Sequence, residues 1–219
     1  MAPLSFSILK DFEQCPRKYY EIKVLRKYPS DKTEAILYGE RLHRACEEYI
    51  RDNIPLSEEF RFLHDTLEGI KAIEGAKFCE LKMSVDKDLK PCGFKDSWCR
   101  GMADIVIVNH EKKRAFVGDY KSGNNKYPDT DQLELMALML WSLYPDLEVV
   151  KGALFFVTKG TMSPKTIYKD DVDVLWNKYK ERDSIRAAAH ATGVFNPKQS
   201  GLCKRHCPVL SCELNGANR

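Results

Sequence analysis

The sequence predicts an α/β layered domain, and its element pattern carries that prediction. Helical periodicity fills the amino-terminal part, after which short apolar strands alternate with helices. The clearest pair of strands is Gly101 to Val108 and Ala115 to Gly123, separated by a polar break from Asn109 to Arg114 that reads as a turn.

Taken in order, Ser7 caps a short helix carrying Ile8, Leu9 and Phe12, which runs into Cys15-Pro16-Arg17-Lys18-Tyr19-Tyr20. From about Thr33 to Asn53, the residues Ile36, Gly39, Leu42, His43, Cys46, Tyr49 and Ile50 fall on one helical stripe. Pro55 and Ser57 open a second helix through Phe60, Leu63, Leu67 and Ile70, closed by Gly75. Strand alternation then begins at Lys77 and runs to Val85, with Cys79, Leu81, Met83 and Val85 sharing a face. Beyond the paired strands, Thr130 or Asp129 caps a helix from Gln132 to Tyr144, with Leu133, Met136, Ala137 and Leu140 as its stripe and Pro145 as its stop. Val149 to Thr158 is a near-continuous apolar run, as a buried central strand requires. Thr166 to Lys169 reads as an edge strand, and Val172 to Ala191 as a long amphipathic helix through Trp176, Tyr179 and Ile185.

At 219 residues and 43% hydrophobic, the chain suffices for one well-buried core. A single domain, 1–219, is expected: a helical part at 1–75, an α/β core at 76–192, and an irregular cysteine-rich clip at 193–219. Thirty-five Lys and Arg against 32 Asp and Glu leave a net charge of +3, so bulk polycationic binding is excluded and any nucleic-acid contact must be local. The opening Met1-Ala2-Pro3-Leu4-Ser5 lacks a basic and apolar leader, and no apolar run approaches the roughly 18 residues of a membrane span. A cytoplasmic protein with no membrane partner is expected, and in that reducing setting the eight cysteines are thiols or metal ligands.

Side chains alternate along a strand, so Asp119 and Lys121 share a face, and a hairpin return can bring Asp104 beside them. Two carboxylates and an ammonium on one patch can hold a divalent metal against a phosphodiester and place a cation near the attacking water. Asp104 lies inside Ala103-Asp104-Ile105-Val106, where a charge is costly without a partner. His43, on an apolar stripe, reads by itself as a hydrogen-bonded core histidine, and Gln132 as a solvated residue of a first helical turn. In the tail, Cys203, Cys207 and Cys212 with His206 form a cluster that Cys15 can complete, and four thiolates suit either zinc or an iron-sulfur cluster. Cys46, Cys79, Cys92 and Cys99 lack such spacing. Arg17, Lys18, Tyr19 and Tyr20, like Lys178, Tyr179 and Lys180, mix charge with aromatic surface that can bind single strands, although Tyr19 and Tyr179 read better as core.

In order along nearly the whole chain, these segments resemble the PD-(D/E)XK nuclease superfamily, and specifically its RecB-like exonucleases, which include CRISPR-associated, AddB-type and phage-encoded relatives. Ser5-Phe6-Ser7 through Tyr20 resembles the family's opening motif, and Gly39-Glu40-Arg41-Leu42-His43 its histidine-bearing helix. Arg100-Gly101-Met102-Ala103-Asp104 resembles its Gly-x-x-Asp motif, and Gly118-Asp119-Tyr120-Lys121-Ser122-Gly123 its acidic-x-Lys signature. The resemblance implies a restriction-endonuclease-like mixed β-sheet flanked by helices, with an amino-terminal helical segment tied to the carboxy-terminal cysteine clip. It further implies Mg²⁺ or Mn²⁺ held by His43, Asp104, Asp119 and the Tyr120 carbonyl, with Lys121 and Gln132 completing the catalytic set. Cys15, Cys203, Cys207 and Cys212 would hold a [4Fe-4S] cluster, with Zn²⁺ or ligation by His206 as alternatives.

The implied activity is a metal-dependent DNA exonuclease acting on duplex ends or single strands in recombination, repair or processing, in the host cytoplasm if phage-encoded. The alternative is an inactive DNA-binding subunit of a recombination or spacer-acquisition complex, and either reading admits a homo-oligomer. Two departures stand out. Met136 occupies the tyrosine position of the Gln-x-x-x-Tyr motif, and His206 stands where the family's middle tail cysteine falls, with Cys207 one place later.

Overall fold

A computed structural model describes residues 1–28, 33–123 and 128–218 and places five strands in one sheet whose spatial order is their chain order. They are β1 (Ala76–Val85), β2 (Cys99–Asn109), β3 (Arg114–Lys121), β4 (Val149–Phe156) and β5 (Thr161–Tyr168). The α-helices are α1 (Phe6–Gln14), α2 (Pro16–Tyr19), α3 (Glu34–Asp52), α4 (His64–Lys71), α5 (Asp131–Leu143) and α6 (Val172–Thr192). The sheet is antiparallel except where β3 meets β4 in parallel. Only that join needs a crossover, and α5 supplies it. This is the mixed sheet flanked by helices that the sequence predicts.

The chain packs as two units, Met1–Asp31 with Lys178–Arg219 and Lys32–Asn177, with the division falling inside α6. In the larger unit, Leu42, Cys46 and Ile50 of α3 join Leu63, Leu67 and Ile70 over Ile105 and Ile107 of β2. The crossover helix α5 is buried on every side from Leu133 to Trp141, as expected of an apolar helix without a solvated face. In the smaller unit, Phe12, Tyr19 and Phe195 form a core on which Tyr20 stacks, its ring centroid 4.2 Å from that of Phe195. Arg186, fully buried, pairs with Asp183 at 2.6 Å and donates to the Ala2 carbonyl.

Several boundaries differ from those expected. Ser5, not Ser7, caps α1, its hydroxyl accepting from the Ile8 N–H. The second helix begins as a 3₁₀ turn, Glu58–Leu63, before continuing as α4. The edge strand β5 starts earlier than its apolar pattern shows, because Pro164 and Lys165 conceal it. A proline is tolerated at an edge, where its missing N–H breaks no inner ladder. Ile185 is 65% exposed, so the buried positions of α6 are taken there by the Asp183 and Arg186 pair instead.

Candidate functional site

The antiparallel pairing of β2 with β3 ends at Ile105 opposite Gly118, one step short of where its register would set Asp104 against Asp119. At that step Asp104 turns its side chain across, and its Oδ2 accepts the Tyr120 N–H at 2.6 Å. A carboxylate thus takes over a ladder hydrogen bond, which satisfies the backbone and fixes Asp104 beside the end of β3. Gly118 permits the close approach of the strands: a Cβ there would lie 2.6 Å from Ile105 Cγ2 and 3.0 Å from Phe155.

Asp119 is 4% exposed and lies between two partners. The Lys121 ammonium is 2.6 Å from its Oδ2, an ionic contact without good hydrogen-bond alignment, and the Gln132 amide donates to its Oδ1. Gln132 closes the triangle, its Oε1 accepting from Lys121 Nζ at 2.9 Å. The first turn of α5 is itself anchored: Lys165 of β5 pairs with the buried Glu134 and reaches Thr130. Gln132 is therefore tied to both charged groups of the signature, a role its solvated-helix reading did not foresee.

From α3, His43 Nδ1 comes within 3.2 Å of Asp104 Oδ1. Glu80 of β1 joins them, each of the three offering one donor atom within 4.8 Å of the others. An imidazole with carboxylate oxygens is a donor set that fits Mg²⁺ or Mn²⁺. Sequence reasoning missed Glu80, which counted only as a polar partner in an alternating strand. Its signal lies in the register: Cys79 opposite Ile105 and Leu81 opposite Ala103 set Glu80 directly across from Asp104. The group opens on a cleft of about 450 Å³ that Glu40, Arg44, Glu47 and Met102 also line.

Burial pushes the Asp119 carboxyl up to about 6, and the neighbouring Asp104 adds to this, while Lys121 and His43 pull it back. His43 is raised by its hydrogen bond to Asp104, against the lowering effect of burial. Glu80 is also raised, by burial first and then by Asp104. Three carboxyl groups thus share a site where concentrated negative charge is costly, and a divalent cation would relieve that cost.

In the smaller unit, the thiols of Cys15, Cys203 and Cys207 are half-buried and that of Cys212 is buried. Burial raises the Cys212 thiol, and Cys15 and Cys207 both contribute to the rise. Main-chain N–H groups of Lys18 and Lys198 donate to Cys15 Sγ at 3.5 and 3.4 Å, and that of Ser200 donates to Cys203 Sγ at 3.4 Å. Such donors suit a thiolate, and hydrogen bonds to sulfur tune a bound cluster. Among the described residues, the group of three drawn within 4.8 Å is His43, Glu80 and Asp104, and the cysteines form no such group. His206 is exposed.

Residues 3–212 match the PD-(D/E)XK nuclease superfamily. Among solved structures, a protein of Eubacterium rectale named "Putative exonuclease" aligns over 93% of this chain and 86% of its own, at 15% identity and a TM-score of 0.52. A second, named SSO0001, aligns over 94% of this chain and 85% of its own, at 15% identity and a TM-score of 0.44. A search of curated proteins finds no match. The first of these structures shares the restriction-endonuclease-like architecture. Among the described residues, no helix is long and apolar enough to cross a membrane.

Proposed function

The chain belongs to the PD-(D/E)XK nuclease superfamily, and from that premise we propose that it is a divalent-metal-dependent deoxyribonuclease, acting as an exonuclease on duplex ends or single strands. The observation that carries this reading is the convergence of Asp104, Asp119 and Lys121 where the pairing of β2 with β3 ends, with the ammonium 2.6 Å from Asp119. His43, Asp104, Asp119 and the Tyr120 carbonyl would hold Mg²⁺ or Mn²⁺. The bound metal supplies Lewis-acid polarisation of the scissile phosphate. Lys121 orients the attacking water and offsets charge developing on the phosphoryl oxygens. Gln132 holds Lys121 and Asp119 in register with one another. Water adds to phosphorus, the 3′ oxygen departs with a proton, and a 5′-phosphate remains, with no covalent enzyme intermediate.

The same reading assigns Cys15, Cys203, Cys207 and Cys212 to a structural [4Fe-4S] cluster. Two points support Cys207 over His206 as a ligand: the effect of Cys207 on Cys212, and the exposure of His206. The alternative, a DNA-binding subunit without turnover in a recombination or spacer-acquisition complex, draws on Met136. That residue is 4% exposed, however, and packs in the interior, while Asp104, Asp119 and Lys121 are all present. The enzyme is the better supported.

The test incubates end-labelled linear single- and double-stranded DNA, with closed circles alongside, in Mg²⁺ or Mn²⁺. Wild type should shorten the linear substrates from their ends, and Asp119→Ala and Lys121→Ala should not. A wild type no faster than either variant contradicts catalysis, and equal cutting of closed circles contradicts the exonuclease assignment.

A further inference from the structure

Glu80 stands outside every motif that relates the chain to its superfamily, yet its placement is specific. It lies midway along β1 with φ 52°, in the left-handed region that a side chain rarely adopts. The register on either side of it is unbroken: Cys79 pairs with Ile105 and Leu81 with Ala103. No residue has been inserted, so the unusual backbone accommodates Glu80 itself rather than a bulge. Its carboxylate lies within 4.8 Å of donor atoms on both His43 and Asp104. Among the described residues, Glu80 makes no hydrogen bond or ion pair with another side chain. A second carboxylate set beside Asp104 and His43 concentrates negative charge there, and a cation from solution would relieve that cost.

Asp119 is engaged differently. Lys121 and Gln132 hold both its oxygens, and it is not part of the tight group formed by His43, Glu80 and Asp104. Asp104 is the residue common to both surroundings, with one oxygen toward His43 and the other on the Tyr120 N–H.

We infer that Glu80 is a metal ligand, completing with His43 and Asp104 a cation position distinct from the one that Asp104 would share with Asp119 and the Tyr120 carbonyl. This rests on the metal-dependent reading above and refines it: His43, assigned there beside Asp119, belongs to the Glu80 position, and the centre has two cation positions joined through Asp104. Two nearby cations can brace both the attacking and the leaving oxygen of an in-line displacement, so the second position gives Glu80 a place in the same reaction.

The test is Mn²⁺ binding to the full-length protein, with free Mn²⁺ followed by electron paramagnetic resonance, on wild type, Glu80→Gln, Asp119→Asn and Asp104→Asn. Thermal unfolding of each variant confirms that it is folded. Wild type should bind two Mn²⁺ per chain. Glu80→Gln should lose one position, or weaken it at least about tenfold, while keeping the other. Asp119→Asn should lose the complementary position, and Asp104→Asn should weaken both. If wild type binds one Mn²⁺, and Asp104→Asn abolishes it while Glu80→Gln leaves it unchanged, the role of Glu80 is overturned and the single-metal nuclease stands. If folded wild type binds no Mn²⁺, both readings fall.

Discussion

The side chain of Asp104 accepts the main-chain N–H of Tyr120 at 2.6 Å, so a candidate metal ligand also ends the ladder between β2 and β3. The two duties are separable. Asp104→Ala leaves a buried N–H without its acceptor and should cost about 1–3 kcal/mol in chemical unfolding. Asp104→Asn keeps an acceptor oxygen and removes charge beside Asp119, so its metal-free stability should match or exceed that of wild type. Both should lose divalent-metal affinity. Equal unfolding of the two variants would show that the hydrogen bond contributes nothing.

Proton and metal compete for Asp119. Its carboxyl is pushed up to about 6, so from the ordinary carboxylate range up to that value the folded protein binds more protons than the unfolded chain. Metal-free stability from this group is therefore greatest below the window and falls as pH rises through it. His43, also raised, acts in the same direction, with its contribution lost as pH passes its folded value. The difference in unfolding free energy between wild type and Asp119→Asn should shift against wild type from pH 4 to pH 7, roughly the span of the cited shift. Mn²⁺ affinity should fall about tenfold per pH unit below about 6, where one proton must be displaced. A flat difference in stability would rule out the buried-carboxyl explanation.

Gly118 tests how finely β3 is positioned. Gly118→Val would force a Cβ to 2.6 Å from Ile105 Cγ2 and should destabilise by about 1–3 kcal/mol, with cleavage lost as Asp119 is displaced. Gly123→Ala, where an added Cβ meets nothing within 4 Å, is the control and should unfold like wild type.

Anaerobic purification with iron and zinc analysis addresses the cysteines. Wild type should carry iron and a visible charge-transfer absorbance. Cys15→Ser, Cys207→Ser and Cys212→Ser should lose both, and His206→Ala should keep them. A colourless, iron-free protein with full zinc would refute the cluster.

Within the smaller unit, Arg186→Met removes the guanidinium that pairs with the buried Asp183 carboxylate and should cost about 3–5 kcal/mol. The double change to Arg186→Met with Asp183→Leu should recover most of that loss. A single change as mild as a surface substitution would show that the pair is not desolvated.

Strand alternation made β2, β3 and β4 legible because each carries a continuous apolar face, and the pairing of the first two brought Asp104, Asp119 and Lys121 within reasoning distance. Other features needed partners that no local window contains. Glu80 is one polar residue among several in β1 until the register sets it against Asp104. The bond from Gln132 to Lys121 depends on where the crossover helix starts, which Lys165 and Glu134 help to fix across more than thirty residues. Ile185, expected on the buried stripe, is exposed, while Arg186 beside it is buried because its guanidinium is matched by the Asp183 carboxylate. Cys46 reads as an ordinary helix residue, and it packs in the core of the larger unit.

Single-turnover cleavage of a 5′-labelled oligonucleotide at saturating Mn²⁺, comparing wild type with folded Asp104→Asn, bears most directly on the metal-dependent nuclease. A fall in rate on the order of a thousandfold is predicted, since the charge that places metal against phosphate is gone while the Tyr120 hydrogen bond is kept. Equal rates for the two proteins would contradict it.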